Sequence, residues 1–212
     1  KIDRKANDSI FILRSYIVLS DAYLNLKNYD SVLLFSQTGL RMDMHQNVTF
    51  AIGKFHAQLG QYYSEGINKA DSAITHFNLA LKYFTVINLQ YDIAVVLQKM
   101  GNAYLKINDY AKAIQYSKQA AELTRTLKLQ QVLLYSLMTL VTSEERRGNS
   151  AESFRYLKEY VAVNDSLQNR NNSKKVAELE AKYQLQNKEA LLAAQQAVID
   201  KKNLINYVLA GS

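Results

Sequence analysis

The stretch LQKMGNAY at residues 97–104, followed by YAKAIQY at residues 110–116 and by Ala120, decides the fold of this protein. Large apolar residues recur there at every third or fourth position, which is typical of helices with one face in a core. The polar residues Asn108 and Asp109 separate the two periodic runs and suit a turn and a helix cap. Gly101 and Ala113 are small enough to let two helices cross closely. The stretch therefore predicts an antiparallel helical hairpin.

The pattern repeats along the chain with a period of about 40 residues. One marker is a mostly small residue in the first helix of each hairpin, and its copies are separated by 40, 41 and 40 residues: Ser20, Gly60, Gly101 and Val141. A second marker lies in the second helix, with separations of 41, 40 and 40 residues: Val32, Ala73, Ala113 and Ser153. Two markers at matching spacings indicate tandem structural repeats.

Composition and periodicity together predict an all-α protein. The 212 residues include no Pro and only 7 Gly, which favours long uninterrupted helices over a turn-rich β fold. The predicted helix pairs are 9–26 with 30–43, 47–65 with 69–86, 90–106 with 110–127, and 130–147 with 150–164. Because one hairpin cannot bury its apolar faces alone, neighbouring hairpins are expected to stack into a right-handed α-solenoid of four hairpins over residues 1–168.

The third hairpin resembles a tetratricopeptide repeat (TPR), since it has the large apolar, Leu-Gly-like, Tyr, Ala and aromatic positions of that pattern. The other copies depart from it: Ser20 replaces Gly, Val32 and Gly39 stand in place of Ala, and Val141, Glu144 and Tyr160 break the pattern in the fourth repeat. The period also exceeds the usual ~34 residues of the family, which implies longer helices. The resemblance implies a protein-binding module.

The resemblance further implies a binding groove on the concave side, lined by the first helix of each hairpin. Its polar, mildly basic surface could bind a carboxylate or an acidic peptide through Lys99, Asn102 and Lys106; a solvated surface is the alternative. Ile17 and Asp21 replace the Lys and Asn of the chaperone-binding subfamily, which disfavours that partner. The predicted groove residues are Arg14, Ile17, Asp21, Lys54, Gln58, Gln61, Gln98, Lys99, Asn102, Lys106, Met138, Thr142 and Arg146.

Catalytic and cofactor chemistry is not indicated by the sequence. There is no Cys, and the three histidines form no metal-binding motif. His56, on an apolar helix face, is expected to be a hydrogen-bonded packing residue. The net charge of +7 is spread along the chain, which favours a solvated basic surface over nucleic-acid binding. We therefore predict a non-enzymatic protein with no cofactor, no metal and no nucleic-acid partner.

Residues 169–212 are predicted to form one long helix, because they are rich in Ala, Leu, Glu, Gln and Lys. A heptad seam at Val176, Leu179, Tyr183, Ala190, Ala193, Ala197 and Leu204 could form a homodimeric coiled coil, with a cap on the last hairpin as the alternative. The apolar stretch 204–211 resembles the start of a membrane helix; a frayed tail is the other interpretation.

The order of hairpins and helical linker is similar to that of membrane-anchored sensors of the Bacteroidetes type, which end in a histidine kinase or a helix-turn-helix output. That resemblance implies an extracytoplasmic, periplasmic sensor module, with the membrane reached only through sequence after Ser212. The pair Lys201 and Lys202 beside the apolar stretch argues against that side under the positive-inside tendency, so a cytoplasmic location stays open. A cytosolic scaffold is the rival hypothesis.

Overall fold

A computed structural model of the protein describes residues 2–42, 48–169 and isolated positions between 181 and 199. The described residues contain helices and turns and no strand. The chain divides into two compact units, residues 1–163 and 164–212. The helices that begin in the first unit are α1 (Ile2–Asn25), α2 (Tyr29–Arg41), α3 (Thr49–Gln61), α4 (Ala70–Val86), α5 (Gln90–Lys106), α6 (Tyr110–Thr126), α7 (Gln130–Arg146) and α8, which is described over 150–169.

The predicted all-α solenoid of four hairpins is confirmed: α1–α2, α3–α4, α5–α6 and α7–α8 follow one another and pack on their neighbours. Most helix ends lie within two residues of the predicted ones, although α1 begins at Ile2 rather than at residue 9. In the second unit, residues 164–169 and the described positions from 181 onward are helical. Most of the predicted heptad seam and the apolar stretch at 204–211 lie outside the described residues. The domain boundary after residue 168 stays a prediction.

Five turns between helices share one left-handed geometry. In each, the second residue after the helix has a positive φ: Lys27 (55°), Asn88 (53°), Asn108 (60°), Lys128 (57°) and Gly148 (77°). The last carbonyls of the helix then accept two backbone hydrogen bonds. After α6, for example, the Leu129 N–H donates to the Thr124 carbonyl and the Lys128 N–H to the Arg125 carbonyl. This is the Schellman motif, which satisfies carbonyls that the end of a helix leaves unpaired.

Two of these turns allow a matched stability test. Lys128 adopts the left-handed conformation at a steric cost that Gly148 avoids at the equivalent position. Lys128→Gly is expected to raise the free energy of unfolding by up to about 1 kcal/mol, and Gly148→Lys to lower it by a similar amount. Urea denaturation followed by circular dichroism measures both. Changes of the same sign in the two variants would contradict the shared geometry.

The core of the first unit is built from small residues at the helix crossings and rings beside them. Ala73, Ala80 and Ala113 are fully buried together with Phe77 and Met100. Within each of the first three hairpins, an aromatic ring of the first helix stacks on a ring of the second: Tyr23 on Phe35, Tyr63 on His76 and Tyr104 on Tyr116. The fourth hairpin has Glu144 in the tyrosine position, which explains its weaker resemblance to the repeat.

One π-helical turn, Tyr62–Gly66, interrupts the regular pattern after α3. Both sequence markers contain one 41-residue spacing, and the two intervals overlap only between residues 60 and 73. From Tyr63 to the left-handed Asn68 there are five steps, whereas the equivalent interval from Tyr104 to Asn108 has four. The π turn therefore accommodates the one extra residue of the second hairpin.

Candidate functional site: the A-helix face

We name the first helices of the hairpins, α1, α3, α5 and α7, the A helices, and the others the B helices. A helices of neighbouring hairpins contact one another directly, α1 with α3 and α5 with α7. The surface that they share is the A-helix face, and all predicted groove residues lie on these helices or their ends. A lysine bridges the first three A helices: the Nζ of Lys54 lies 3.6 Å from an Asp21 carboxylate oxygen and 3.8 Å from one of Asp92.

Asp92 is the most buried carboxylate of this bridge. Burial raises the pKa of Asp92 above its ordinary value, and the negative charge of Asp21 raises it further, while Lys54 lowers it. The positive charge of Lys54 thus offsets the repulsion between two carboxylates from different helices. The bridge stabilises the stacking of hairpins and occupies three polar side chains that would otherwise be available to a ligand.

Gln58 and Gln98, predicted to line the groove, are buried. The Gln58 amide donates to the Asp21 carboxylate at 2.8 Å and to the Ile17 carbonyl at 3.0 Å, and its carbonyl accepts from the Ser36 hydroxyl at 3.2 Å. Ile17 itself belongs to the core. Gln58 supports the stacking of the first two hairpins because a buried amide is stabilised only when its polar atoms are paired. The structure thus places Gln58, Gln98 and Ile17 inside the array rather than on its surface.

The predicted carboxylate-binding lysines already have partners around the π turn. The Nζ of Lys99 lies 2.9 Å from a Glu65 carboxylate oxygen. The Nζ of Lys106 donates to the Ser64 carbonyl and, at 3.2 Å, to the Ser64 hydroxyl. The Gln61 amide also donates to Glu65, at 3.4 Å. An acidic ligand at Lys99 would compete with Glu65 from within the chain.

The α7 end of the A-helix face has a different character. Tyr135, Met138 and Arg146 are exposed at spacings of three and eight residues, which puts them on one stripe of α7. Among the described residues, Arg146 forms no ion pair. Thr142 lies on the same stripe and donates to the Met138 carbonyl at 3.0 Å. Asn102 of α5, in the repeat position of Thr142, is half-buried, and Arg14 of α1 is exposed.

One residue at this end, Tyr135, was missed by the sequence patterns. Tyr135 was not predicted, although its 55% exposure makes it one of the most accessible rings of the first unit. Its repeat equivalent in α5 is Val95 and in α3 is Lys54, so an aromatic residue there departs from the repeat. This departure from the repeat was the sequence signal by which Tyr135 could have been found. Met138 was predicted; it is 41% exposed and lies three residues after Tyr135 on the same stripe of α7.

A histidine pair joins α3 to α4 away from this face. The Nδ1 atoms of His56 and His76 are 3.0 Å apart, and the rings stack on Tyr83 and Tyr63 respectively. In the third hairpin the equivalent positions are Leu97 and Tyr116. The pair thus occupies two packing positions of the repeat. Burial lowers the pKa of both imidazoles, that of His56 to about 4 with a further contribution from His76.

The histidine pair predicts a stability that depends on pH. Because both pKa values are depressed in the folded protein, the unfolded chain binds more protons as pH falls below the ordinary histidine pKa of 6.5. The contribution of the pair to the free energy of unfolding should therefore be fully present above pH 6.5 and should decrease toward pH 4. The double variant His56→Leu with His76→Tyr, which copies the residues of the third hairpin, should reduce this loss between about pH 7 and pH 5. Urea midpoints measure it; an unchanged slope in the variant would contradict this origin.

Metal-binding and membrane-spanning features are both absent from the part of the chain that the structure describes. No group of three or more His, Asp or Glu side chains there could hold a metal ion. Nor is any helix in the described ranges long and apolar enough to span a membrane.

Comparison with known proteins supports the repeat geometry. Residues 94–126, from within α5 to the end of α6, match the sequence model of the tetratricopeptide repeat. The match covers most of the third hairpin. This is the hairpin in which the sequence resemblance was strongest. No curated protein shows significant similarity to the chain.

The chain is also similar to solved structures. The chain is similar to a signal transduction ATPase with numerous domains (STAND) that carries a tetratricopeptide repeat sensor, from Pyrococcus horikoshii, with a TM-score of 0.62 and 18% sequence identity. The similarity covers 77% of this chain and 25% of that protein, so this chain corresponds to about a quarter of its length. A second similar structure is the MamA protein, with a TM-score of 0.43 and 17% identity over 73% of this chain and 92% of that one. The first likeness shows the fold, a TPR-like solenoid.

Proposed function

We propose that this chain is a non-enzymatic protein- or peptide-binding module whose ligand binds to the α7 end of the A-helix face. The observation that carries the proposal is the contrast between the two ends of that face. On α1, α3 and α5, ion pairs within the chain hold Asp21, Lys54, Asp92 and Lys99. On α7, by contrast, Tyr135, Met138 and Arg146 are exposed. Aromatic residues, Met and Arg are enriched at protein interfaces.

The proposed ligand is a peptide segment with an apolar side chain and a carboxylate. The apolar side chain would pack on Tyr135 and Met138, and the carboxylate would bind Arg146, whose guanidinium can form two parallel hydrogen bonds with it. Asn102 of the neighbouring A helix could donate to the peptide backbone. Lys106, in the repeat position of Arg146, adds positive charge while it holds Ser64.

Selection from a random peptide display library tests this proposal. We expect the enriched peptides to combine Asp or Glu with aromatic or aliphatic residues. Arg146→Glu should weaken their binding by at least about tenfold, the effect of about 1.4 kcal/mol. Arg147→Glu is the matched control, because Arg147 is exposed one residue further on and lies off the stripe. Equal losses in the two variants, or enriched peptides without acidic residues, would argue against the site.

The double variant Lys99→Glu with Lys106→Glu tests the second part of the surface. Charge reversal should reduce the affinity for acidic peptides further, while circular dichroism should report an intact helical fold. Because Lys99 and Lys106 have partners within the chain, we expect a smaller loss than with Arg146→Glu. A larger loss of affinity than with Arg146→Glu would indicate that the carboxylate binds at α5 rather than at α7.

At the level of the whole protein, we propose that this module is the input domain of a membrane-anchored signalling protein, with a histidine kinase as the output. A helix-turn-helix output and a soluble scaffold are the alternatives. The support is the sequence order of hairpins, helix-forming linker and apolar stretch 204–211. Sequencing the gene beyond Ser212 tests it: we expect enough further apolar residues to complete a span of about 20. A polar continuation would favour the scaffold.

A further inference from the structure

The outer faces of the first and fourth hairpins carry exposed apolar side chains at positions that are buried in the other hairpins. On α8, Phe154, Leu157 and Val161 lie on one face and are 56%, 38% and 48% exposed. Their repeat equivalents in α6 are Ile114, Ser117 and Ala121, which are buried. Ile114 and Ala121 belong to the same apolar cluster as Leu133 and Leu137 of α7. The α8 face is thus the B-helix half of an inter-hairpin interface.

The opposite end exposes the other half. On α1, Ile12 and Leu19 are 39% and 40% exposed, and Ala22 is exposed beside them. Their repeat equivalents in α7 are Leu133, Leu140 and Ser143, which are at most 6% exposed. In α5 the equivalents Met100 and Ala103 are fully buried against the preceding hairpin. Phe11 and Val18, both exposed, widen the α1 face.

The α1 and α8 faces are complementary because they correspond to the two surfaces that pack together between neighbouring hairpins. Inside the first unit, hairpins join through a B helix and the following A helix: α2 with α3, α4 with α5 and α6 with α7. The α8 face offers the B-helix half of this joint, and the α1 face offers the A-helix half. A polar outer face keeps an array of repeats from associating further, whereas the described residues of the α1 and α8 faces are largely apolar. Apolar residues in repeat register instead favour association.

We propose that the α8 face of one copy docks on the α1 face of a second copy, so that the hairpin array continues from chain to chain. The contact is heterologous, because each copy contributes a different surface. The proposal is independent of the peptide site, since Tyr135, Met138 and Arg146 lie on the A-helix face. It also differs from a dimer through the C-terminal helix, which would use neither array end.

Sedimentation velocity of the full chain at increasing concentration tests the proposal. The wild-type protein should show an average mass that rises above the 24.2 kDa of one chain. Leu19→Glu, on the α1 face, and Phe154→Glu, on the α8 face, should each stay at the mass of one chain. Both positions are partly exposed, so the fold should tolerate the charge. Leu34→Glu is the matched control: Leu34 is 60% exposed on α2, in the repeat position of the exposed Gln115.

Mixing the two variants tests the head-to-tail arrangement. Leu19→Glu keeps its α8 face and Phe154→Glu keeps its α1 face, so the mixture should form a 1:1 dimer and nothing larger. A wild-type protein that stays monomeric, a mixture that stays monomeric, or a single variant that still associates would each overturn the proposal. The last result would indicate pairing of one face with itself or pairing through the C-terminal helix. Loss of association in Leu34→Glu would also overturn it.

Discussion

Gly101→Arg is expected to lower the free energy of unfolding by about 3–5 kcal/mol, the range for an unpaired charge placed in a core. Gly101 is buried where α5 crosses α6. A Cβ atom alone at this position would lie 2.2 Å from the Ser117 hydroxyl oxygen and 3.3 Å from the Ala113 carbonyl oxygen. An arginine would have to separate the two helices, and its guanidinium would lose water without finding a carboxylate.

Urea denaturation of Gly101→Arg and Gly101→Ala provides the measurement. The alanine variant should lose less, because the Ser117 hydroxyl is the end of a side chain that can rotate away. We expect the free energy of unfolding to be highest for the wild type, lower for the alanine variant and lowest for the arginine variant. Wild-type stability of the arginine variant would show that α5 and α6 do not cross at Gly101.

Ala113→Glu is expected to have an effect of similar size, about 3–5 kcal/mol. Ala113 is fully buried in a cluster with Phe77 and Met100. A glutamate side chain is larger than the space that the methyl group fills, and its carboxylate would be buried among apolar atoms. The protein would respond by opening the third hairpin or by protonating the carboxyl group, and both cost stability.

The control for Ala113→Glu is Ala111→Glu in the same helix. Ala111 is exposed, so a glutamate there should change the free energy of unfolding by less than about 0.5 kcal/mol. Both variants replace Ala with Glu in the same helix, so the change in helix propensity and charge is the same. The difference between their free energies of unfolding therefore measures the effect of burial. Similar unfolding midpoints for the two variants would contradict the position of Ala113 in the core.

The hairpin fold could be predicted from the sequence because its interactions are local and repeated. Gly101 and Ala113 fix the crossing within one hairpin, and the same crossing recurs at the period of the chain. Stacking then involves only neighbouring hairpins, so helix bounds and buried faces follow from one well-matched copy. The fourth hairpin keeps this geometry even though Glu144 replaces the tyrosine.

The binding surface could be predicted less well, because helical periodicity shows which face a residue is on but not what already contacts it. Gln58 was placed on the A-helix face, yet hydrogen bonds to Asp21, Ile17 and Ser36 hold it inside the array. Lys99 lies on the predicted face and pairs with Glu65. Such pairing between hairpins depends on side-chain reach. By contrast, Tyr135 could have been found as an aromatic residue at a position where other copies have Val and Lys.

The π turn at Tyr62–Gly66 also indicates how the second repeat can differ from the others by one inserted residue. A single inserted residue in an α-helix rotates everything after it by about 100°, which would turn the buried face of α4 toward solvent. Here the wider turn confines that rotation to a few residues, and Asn68 and α4 keep their places in the repeat. Lys106 binds the Ser64 carbonyl beside the altered hydrogen bonding. An alignment of these repeats should therefore place its gap inside a helix, where gaps are ordinarily forbidden.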